Sequence, residues 1–290
     1  MDLCLGKSKS SGKADKSTVK SMNNKVLLEK LIASSNGNYN PIRDFSFQEL
    51  TTATNNYDRE RIIIQESGYI LYKGVLNARA VSILKFGENY NSDNQYKFCF
   101  NNIVFGSQIS HKNILKLIGC CLETQIPILV FESIELGTLA DRIYRRLFES
   151  VSSGILANYI HGPRPSHFKP FLLTNRLKIA MEIANALAYL HVGFPRPIVF
   201  KNIKLSSILF DEDHVAKLFD FSLAESIPDG ETHIKDAIPI GIMGFVATEY
   251  VTTGDYNEKC DVFSFGVLLL VLLTGQKLYS IDEAGDRHWL

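Results

Sequence analysis

Thiols are the first groups whose type and spacing could do chemistry. The five cysteines are Cys4, Cys99, Cys120, Cys121 and Cys260. Their number is odd and no CxxC pair occurs, so neither a disulfide framework nor a zinc site is indicated. The chain reads as intracellular and reduced. Cys4 lies near Lys7, Lys9, Lys13 and Lys16, the setting of a palmitoylated basic anchor. The plainer reading of that stretch is a solvated tail. Asp2 excludes N-myristoylation.

The elements that must position any chemistry follow from composition and periodicity. The chain has 290 residues, 46% hydrophobic and 21% charged, with 31 basic residues balancing 31 acidic ones. This length suits one large bilobal domain or two ordinary ones, and the balanced charge gives no footprint for nucleic acid or a membrane surface. The longest apolar run, Val262 to Leu273, is too short to span a bilayer and reads as a buried helix. Residues 1–24, rich in Ser and Lys, are expected to be disordered, with helix in KVLLEKLIASS after them. Strand-like alternation runs from about Arg61 to Lys85 and returns at Leu115–Gly119 and Ile128–Phe131. Between these lies a helix from Tyr96 to Gln108. Leu177, Ala180, Ala184, Leu187 and Ala188 recur at helical spacing. Short strands at SSILF and VAKLF precede a long surface loop, Asp220 to Ala247, and a strongly apolar helix begins near Asp261. The stretch between Tyr144 and Leu172 reads as an insertion loop. The expected fold is α+β and bilobal, with a small β-rich lobe over a larger, mainly helical one.

Five ordered segments resemble plant receptor-like kinases. FSFQELTTATNNYD (45–58) resembles the segment that precedes their kinase domain, and YKGVL the strand after their Gly-rich loop. SQISHKNILKLIGCCLETQIPILVFE (107–132) is similar to wall-associated-kinase-like chains. LFDFSLAES (218–226) falls where DFG-LA occurs, and TGDYNEKCDVFSFGVLLLVLLTG (253–275) resembles the central helix of the large lobe. The implied organisation is an N-terminal extension over 1–42, partly disordered, then a small lobe over 43–132 and a large lobe over 133–290.

The resemblance also implies which positions should carry phosphoryl transfer, and most are altered. The three glycines that let backbone N–H groups close over phosphates become Ile64, Glu66 and Tyr69, while Gly68 falls outside that spacing. The plainer reading of the same residues is a tight hairpin that needs no ligand. The strand lysine has become Leu84, or Lys85 if the alignment shifts by one. Strand neighbours face opposite ways, so only one of the two enters the cleft. The helix glutamate that should pair with it is Asn102. In the catalytic loop, Asn202 replaces the aspartate that orients the substrate hydroxyl, and Ser207 replaces the magnesium-binding asparagine. An amide is not a base at neutral pH, and that assistance is worth roughly 10²–10⁴-fold. Lys204 is kept, and DFS keeps one carboxylate able to hold magnesium, Asp220. A residual nucleotide site would therefore consist of Lys85, Lys204 and Asp220, with Asp220 its metal ligand. Phe131 and Glu132 fall at the gatekeeper and hinge. Glu249 in ATE and Asp261 hold positions that serve the fold.

FKN in place of HRD, DFS and GCCLET together resemble the ZED-related kinase group of receptor-like cytoplasmic kinases. The resemblance implies a catalytically deficient pseudokinase adaptor in plant innate immunity. Its partners would be an NLR immune receptor of the ZAR type and a second receptor-like cytoplasmic kinase. It would be cytoplasmic or peripheral at the plasma membrane, requiring no cofactor and binding ATP and magnesium weakly at most. The competing readings are an atypical serine/threonine kinase using Lys85 and Asp220, and an ATP-binding switch without turnover. Ile238, Ile240, Ile242, Met243 and Phe245 form an apolar stretch suited either to docking or to packing on the large lobe. Kinases of this family continue beyond the central helix, so a chain ending at Leu290 is expected to lack the last helices, leave Glu249 without its arginine, and be less stable than longer relatives.

Overall fold

The structure is a computed structural model that describes residues 16–35, 40–66, 68–87, 92–143, 172–235, 241, 244–275, 279–281 and 287–289. The Cys4 anchor, most of the insertion loop and Ile238, Ile240, Ile242 and Met243 lie outside these residues. No described helix is long and apolar enough to cross a membrane.

The bilobal α+β fold is present. The small lobe is a six-stranded sheet in the order β1-β5-β6-β4-β3-β2. Its strands are β1 (Arg43–Asp44), β2 (Ile62–Gln65), β3 (Tyr69–Leu76), β4 (Arg79–Phe86), β5 (Leu117–Cys121) and β6 (Ile128–Glu132). Three helices pack on it: α1 (Lys16–Ser35), α2 (Phe47–Ala53) and α3 (Ser92–Gln108). The sequence directs α2 with a capping box. Ser46 Oγ accepts from Glu49 N–H, and the Glu49 carboxylate accepts from Ser46 N–H at 2.8 Å.

Helix α1 begins at Lys16, which corrects the expectation of disorder over residues 16–24. A Ser- and Lys-rich composition conceals one anchored face, Asn23, Leu27 and Leu31, all buried. The Asn23 amide donates to Leu122 O and Thr124 O, and Tyr96 Oη–H donates to Asn23 Oδ1. Lys16 itself lies over the Phe47 ring.

The large lobe is built on α4 (Leu173–Val192) and α6 (Glu258–Thr274), with the short α5 (Thr248–Thr253) between them in sequence. Its small strands are β7 (Ile198–Val199), β8 (Ile208–Phe210), β9 (Ala216–Leu218) and β10 (Glu225–Ser226). A pairing of β11 (Tyr279–Ile281) with β12 (Arg287–Trp289) follows. The buried stripe of α4 is Ile179, Ala180, Ile183, Ala186, Leu187 and Leu190. Leu177 and Ala188 are exposed, so the core face is rotated from the one read in sequence. Asn257 caps α6 by accepting from Lys259 N–H, and Gly275 closes it in the left-handed conformation that glycine adopts without strain.

Candidate functional site

The catalytic-loop segment is held from below by one carboxylate. Asp261, in the first turn of α6, is wholly buried. Its Oδ2 accepts Phe200 N–H at 2.7 Å and lies 3.0 Å from His191 Nε2. Its Oδ1 accepts Lys201 N–H and Tyr256 Oη–H, each at 2.9 Å. Burial, and then the charge of Asp261, pushes the Tyr256 phenol far up, so it stays a donor. Lys201 is held at φ 61°, an unfavourable value for a residue with a Cβ. Its buried ammonium pairs with Glu225 and lies 5.0 Å from the centre of the Tyr256 ring.

Above this loop, three asparagines converge on the segment from Asp220 to Ala224. Asp220 is buried at φ 75°, ψ 80°. Asn202 Nδ2 donates to Asp220 Oδ2 at 2.9 Å and to Asp220 O at 3.0 Å. Asn102, on α3 and only 1% exposed, donates to Asp220 Oδ1 at 3.3 Å and accepts Phe221 N–H at 2.9 Å. Its neighbour Asn101 donates to Ser222 O and Ala224 O. The partners fix these amide orientations: Asp220 O, Ser222 O and Ala224 O can only accept, and Phe221 N–H can only donate. Phe221 sits between the lobes, edge-on to Phe200 at 5.1 Å and stacked on Phe105 of α3 at 6.4 Å.

This donor set does not fit magnesium. The ion needs near-octahedral oxygen ligands, and both Asp220 oxygens already accept N–H groups, Oδ1 also from Ser222 N–H. Ser207, at the second metal position, is fully buried. Its hydroxyl donates to Lys204 O and accepts from Lys204 N–H, which turns it back into its own loop. Among the described residues no group of three His, Cys, Asp or Glu side chains could hold a metal.

Large side chains gather at the positions where the family's pattern places the nucleotide. Tyr69, Leu84, Phe131 and Phe219 belong to one buried cluster. Phe219 meets Tyr69 edge-on at 6.0 Å and Phe131 at 5.4 Å. Tyr69 thus places a ring where a glycine would leave room for phosphates, and its phenol is driven up by burial and then by Asp220. Glu66 N–H donates to Tyr69 O, closing a β2–β3 hairpin that needs no ligand.

The strand register resolves the lysine. Leu84 pairs with Leu71 and faces the cleft cluster. Lys85 pairs with Ile70 on the other face, its ammonium 4.8 Å from the centre of the Tyr57 ring. The assignment of Lys85 to a residual nucleotide site with Lys204 and Asp220 is therefore corrected, because strand parity turns it away from Asp220. Glu132 at the hinge is engaged by Lys217 Nζ at 2.9 Å, and Lys217 also reaches Asp211 and Lys112 O. Phe245 is buried, the packing alternative for that one residue of the apolar stretch.

Sequence reasoning named Asn102, Asn202, Ser207 and Asp220 but did not place the first two on the last. It missed Asn101, the Lys201–Glu225 pair and the Lys217–Glu132 bridge. The tandem Asn101-Asn102, set between the apolar runs Phe98–Phe100 and Ile103–Phe105 of α3, was the available signal.

Residues 68–284 match the family model described as protein tyrosine and serine/threonine kinase. Among curated relatives, the chain is 42% identical over 257 residues to "Non-functional pseudokinase ZED1" of Arabidopsis thaliana, covering 88% of this chain and 70% of that one. It is 37% identical to "Non-functional pseudokinase ZRK2" of the same plant, over 91% of this chain and 69% of that one. It is 34% identical to "Serine/threonine-protein kinase ZRK1", over 91% and 71%.

Proposed function

Because this chain belongs to the protein tyrosine and serine/threonine kinase family, within its ZED-related kinase group, we propose that it is a catalytically deficient pseudokinase working as an adaptor in plant innate immunity. In this reading it sits in the cytoplasm and links an NLR immune receptor of the ZAR type to a receptor-like cytoplasmic kinase. The observation that carries the inactivity is Asn202. It stands where a substrate hydroxyl needs a carboxylate, and its amide is committed to Asp220. A neutral amide cannot take the proton, and Leu84 leaves the cleft without the lysine that would meet phosphates. Neutral amides of Asn202 and Asn102 instead hold the Asp220 carboxylate in a hydrogen-bonded junction between the lobes. The adaptor role is supported by the group to which the chain belongs.

Two assays run on the same preparation test this. Transfer of labelled phosphate to the chain itself or to a generic substrate should be absent, and an NLR leucine-rich-repeat region should co-purify with it. Transfer that disappears on Asp220→Ala would overturn the pseudokinase reading in favour of an atypical kinase. Absence of co-purification with such receptors would remove the adaptor role.

A further inference from the structure

We propose that the asparagine clasp on residues 220–224 is a ligand-independent lock, holding α3 against the start of the activation segment without nucleotide, magnesium or phosphate. The inference deepens the reading above and rests on it only for the absence of catalysis.

The clasp holds the short segment from two sides. From α3, Asn101 takes Ser222 O and Ala224 O, and Asn102 takes Phe221 N–H and Asp220 Oδ1. From the catalytic loop, Asn202 takes Asp220 O and Oδ2. In the family's pattern a helix glutamate is held by a strand lysine, and that lysine also meets the nucleotide phosphates. Ligand and helix position are then coupled through one charged group. Here that coupling is cut. The helix residue is a neutral amide, and Lys85 lies on the far face of the sheet over Tyr57. A ligand shifts a conformational equilibrium only by binding one state better than the other. With Tyr69 packed on Phe219, Lys85 turned away and Asp220 already accepting from both asparagines, the groups that couple nucleotide to helix position in the family's pattern are absent or engaged.

The segment also brings its own anion. Glu225 pairs with the buried Lys201 of the catalytic loop and lies 3.8 Å from Lys97 of α3. One carboxylate in β10 thus ties together the same two elements that the clasp joins. The lock has an ion-paired end at Glu225 and an amide-held end at Asp220, with Phe221 wedged between Phe105 and Phe200 in the middle. The surface formed by α3 and residues 220–226 is consequently assembled before any partner arrives, and a partner that reads it meets no ordering cost there.

Amide hydrogen exchange tests the lock on the full chain, with and without ATP and magnesium. The Phe221 and Ser222 amides donate to Asn102 and Asp220, so both should be protected in the free protein and unchanged by ATP and magnesium. Asn102→Ala should speed exchange at Phe221 by roughly tenfold or more, the scale of one buried hydrogen bond. Should that variant fail to fold, the milder Asn101→Ala should speed exchange over 221–226 alone, and wild-type rates there would count against the lock. Fast exchange of the Phe221 and Ser222 amides in the free wild-type chain, or protection that arises only with ATP and magnesium, would overturn it. Failure to bind an NLR with this exchange pattern intact removes the adaptor reading and leaves the lock standing.

Discussion

Two buried aspartates, Asp261 and Asp220, serve the same loop in different ways. Asp261 binds the catalytic-loop backbone directly through Phe200 N–H and Lys201 N–H. Asp220 meets the loop through the side chain of Asn202, and α3 through that of Asn102. A carboxylate taken from water must find donors whether or not a metal is near, because an unpaired buried charge costs several kcal/mol. At Asp261 those donors are the ones that hold the fold. At Asp220 amides stand where the family has an acid and a glutamate, so the aspartate persists with its burial satisfied. Catalytic competence and structural satisfaction are therefore separable at a single carboxylate.

The sharpest way to break this comparison is to remove each aspartate. Asp261→Ala strands two backbone N–H groups, a buried phenol and His191, and should cost about 3–5 kcal/mol in denaturant unfolding. Asp220→Ala strands chiefly the two amides and should cost about 1–3 kcal/mol. The reverse order would show that the clasp, not Asp261, is the main support of the loop.

Asn202→Asp tests whether the clasp depends on a neutral amide beside Asp220. It sets a second carboxylate against Asp220 and should cost about 1–3 kcal/mol near neutral pH. The sign follows from linkage. Like charges raise the folded pKa of one carboxyl above its unfolded value, so the stability of the protonated pair is present in acid and is lost as pH rises through that folded pKa. The deficit against wild type should therefore be smallest near pH 4 and grow toward pH 7. A deficit independent of pH, or one abolished by magnesium, would sink the amide-clasp account.

Lys85→Met should cost only about 0.5–1 kcal/mol, the scale of an exposed cation–π contact with Tyr57, and leave the amide exchange of residues 220–226 unchanged. A variant that loosened that segment would return Lys85 to the cleft.

Much of the architecture was legible because it rests on local periodicity. Strands β2 to β6, most of α3 and the apolar body of α6 follow from alternation or apolar runs, whereas the two-residue β1 is too short to leave a pattern. The altered positions were legible one by one for the same reason, since each sits at a fixed offset from a recognisable segment. Their meeting was not. Asn102 and Asp220 lie 118 residues apart, and their hydrogen bond exists only once the lobes pack. The choice between Leu84 and Lys85 needed the β3–β4 register, which pairs Leu71 with Leu84. Asn23 was hidden because a polar residue in a Ser- and Lys-rich run gives no sign that backbone carbonyls at Leu122 and Thr124 await it.

The smallest expected effect concerns a histidine set by packing, in contrast to His191, which lies against the Asp261 carboxylate. His111 stacks on Tyr189 at 4.9 Å, and its Nδ1 accepts Asn113 N–H at 3.2 Å, which requires the neutral ring. Burial, reinforced by Lys112, holds its pKa below the usual 6.5. The unfolded chain then binds the proton more readily than the folded one, so this contribution is present above about pH 6.5 and is lost as pH falls through the lower folded value. Wild-type stability should decline slightly over that interval, and His111→Gln should flatten the decline. An unchanged slope in the variant would assign the acid sensitivity to the aspartate sites instead.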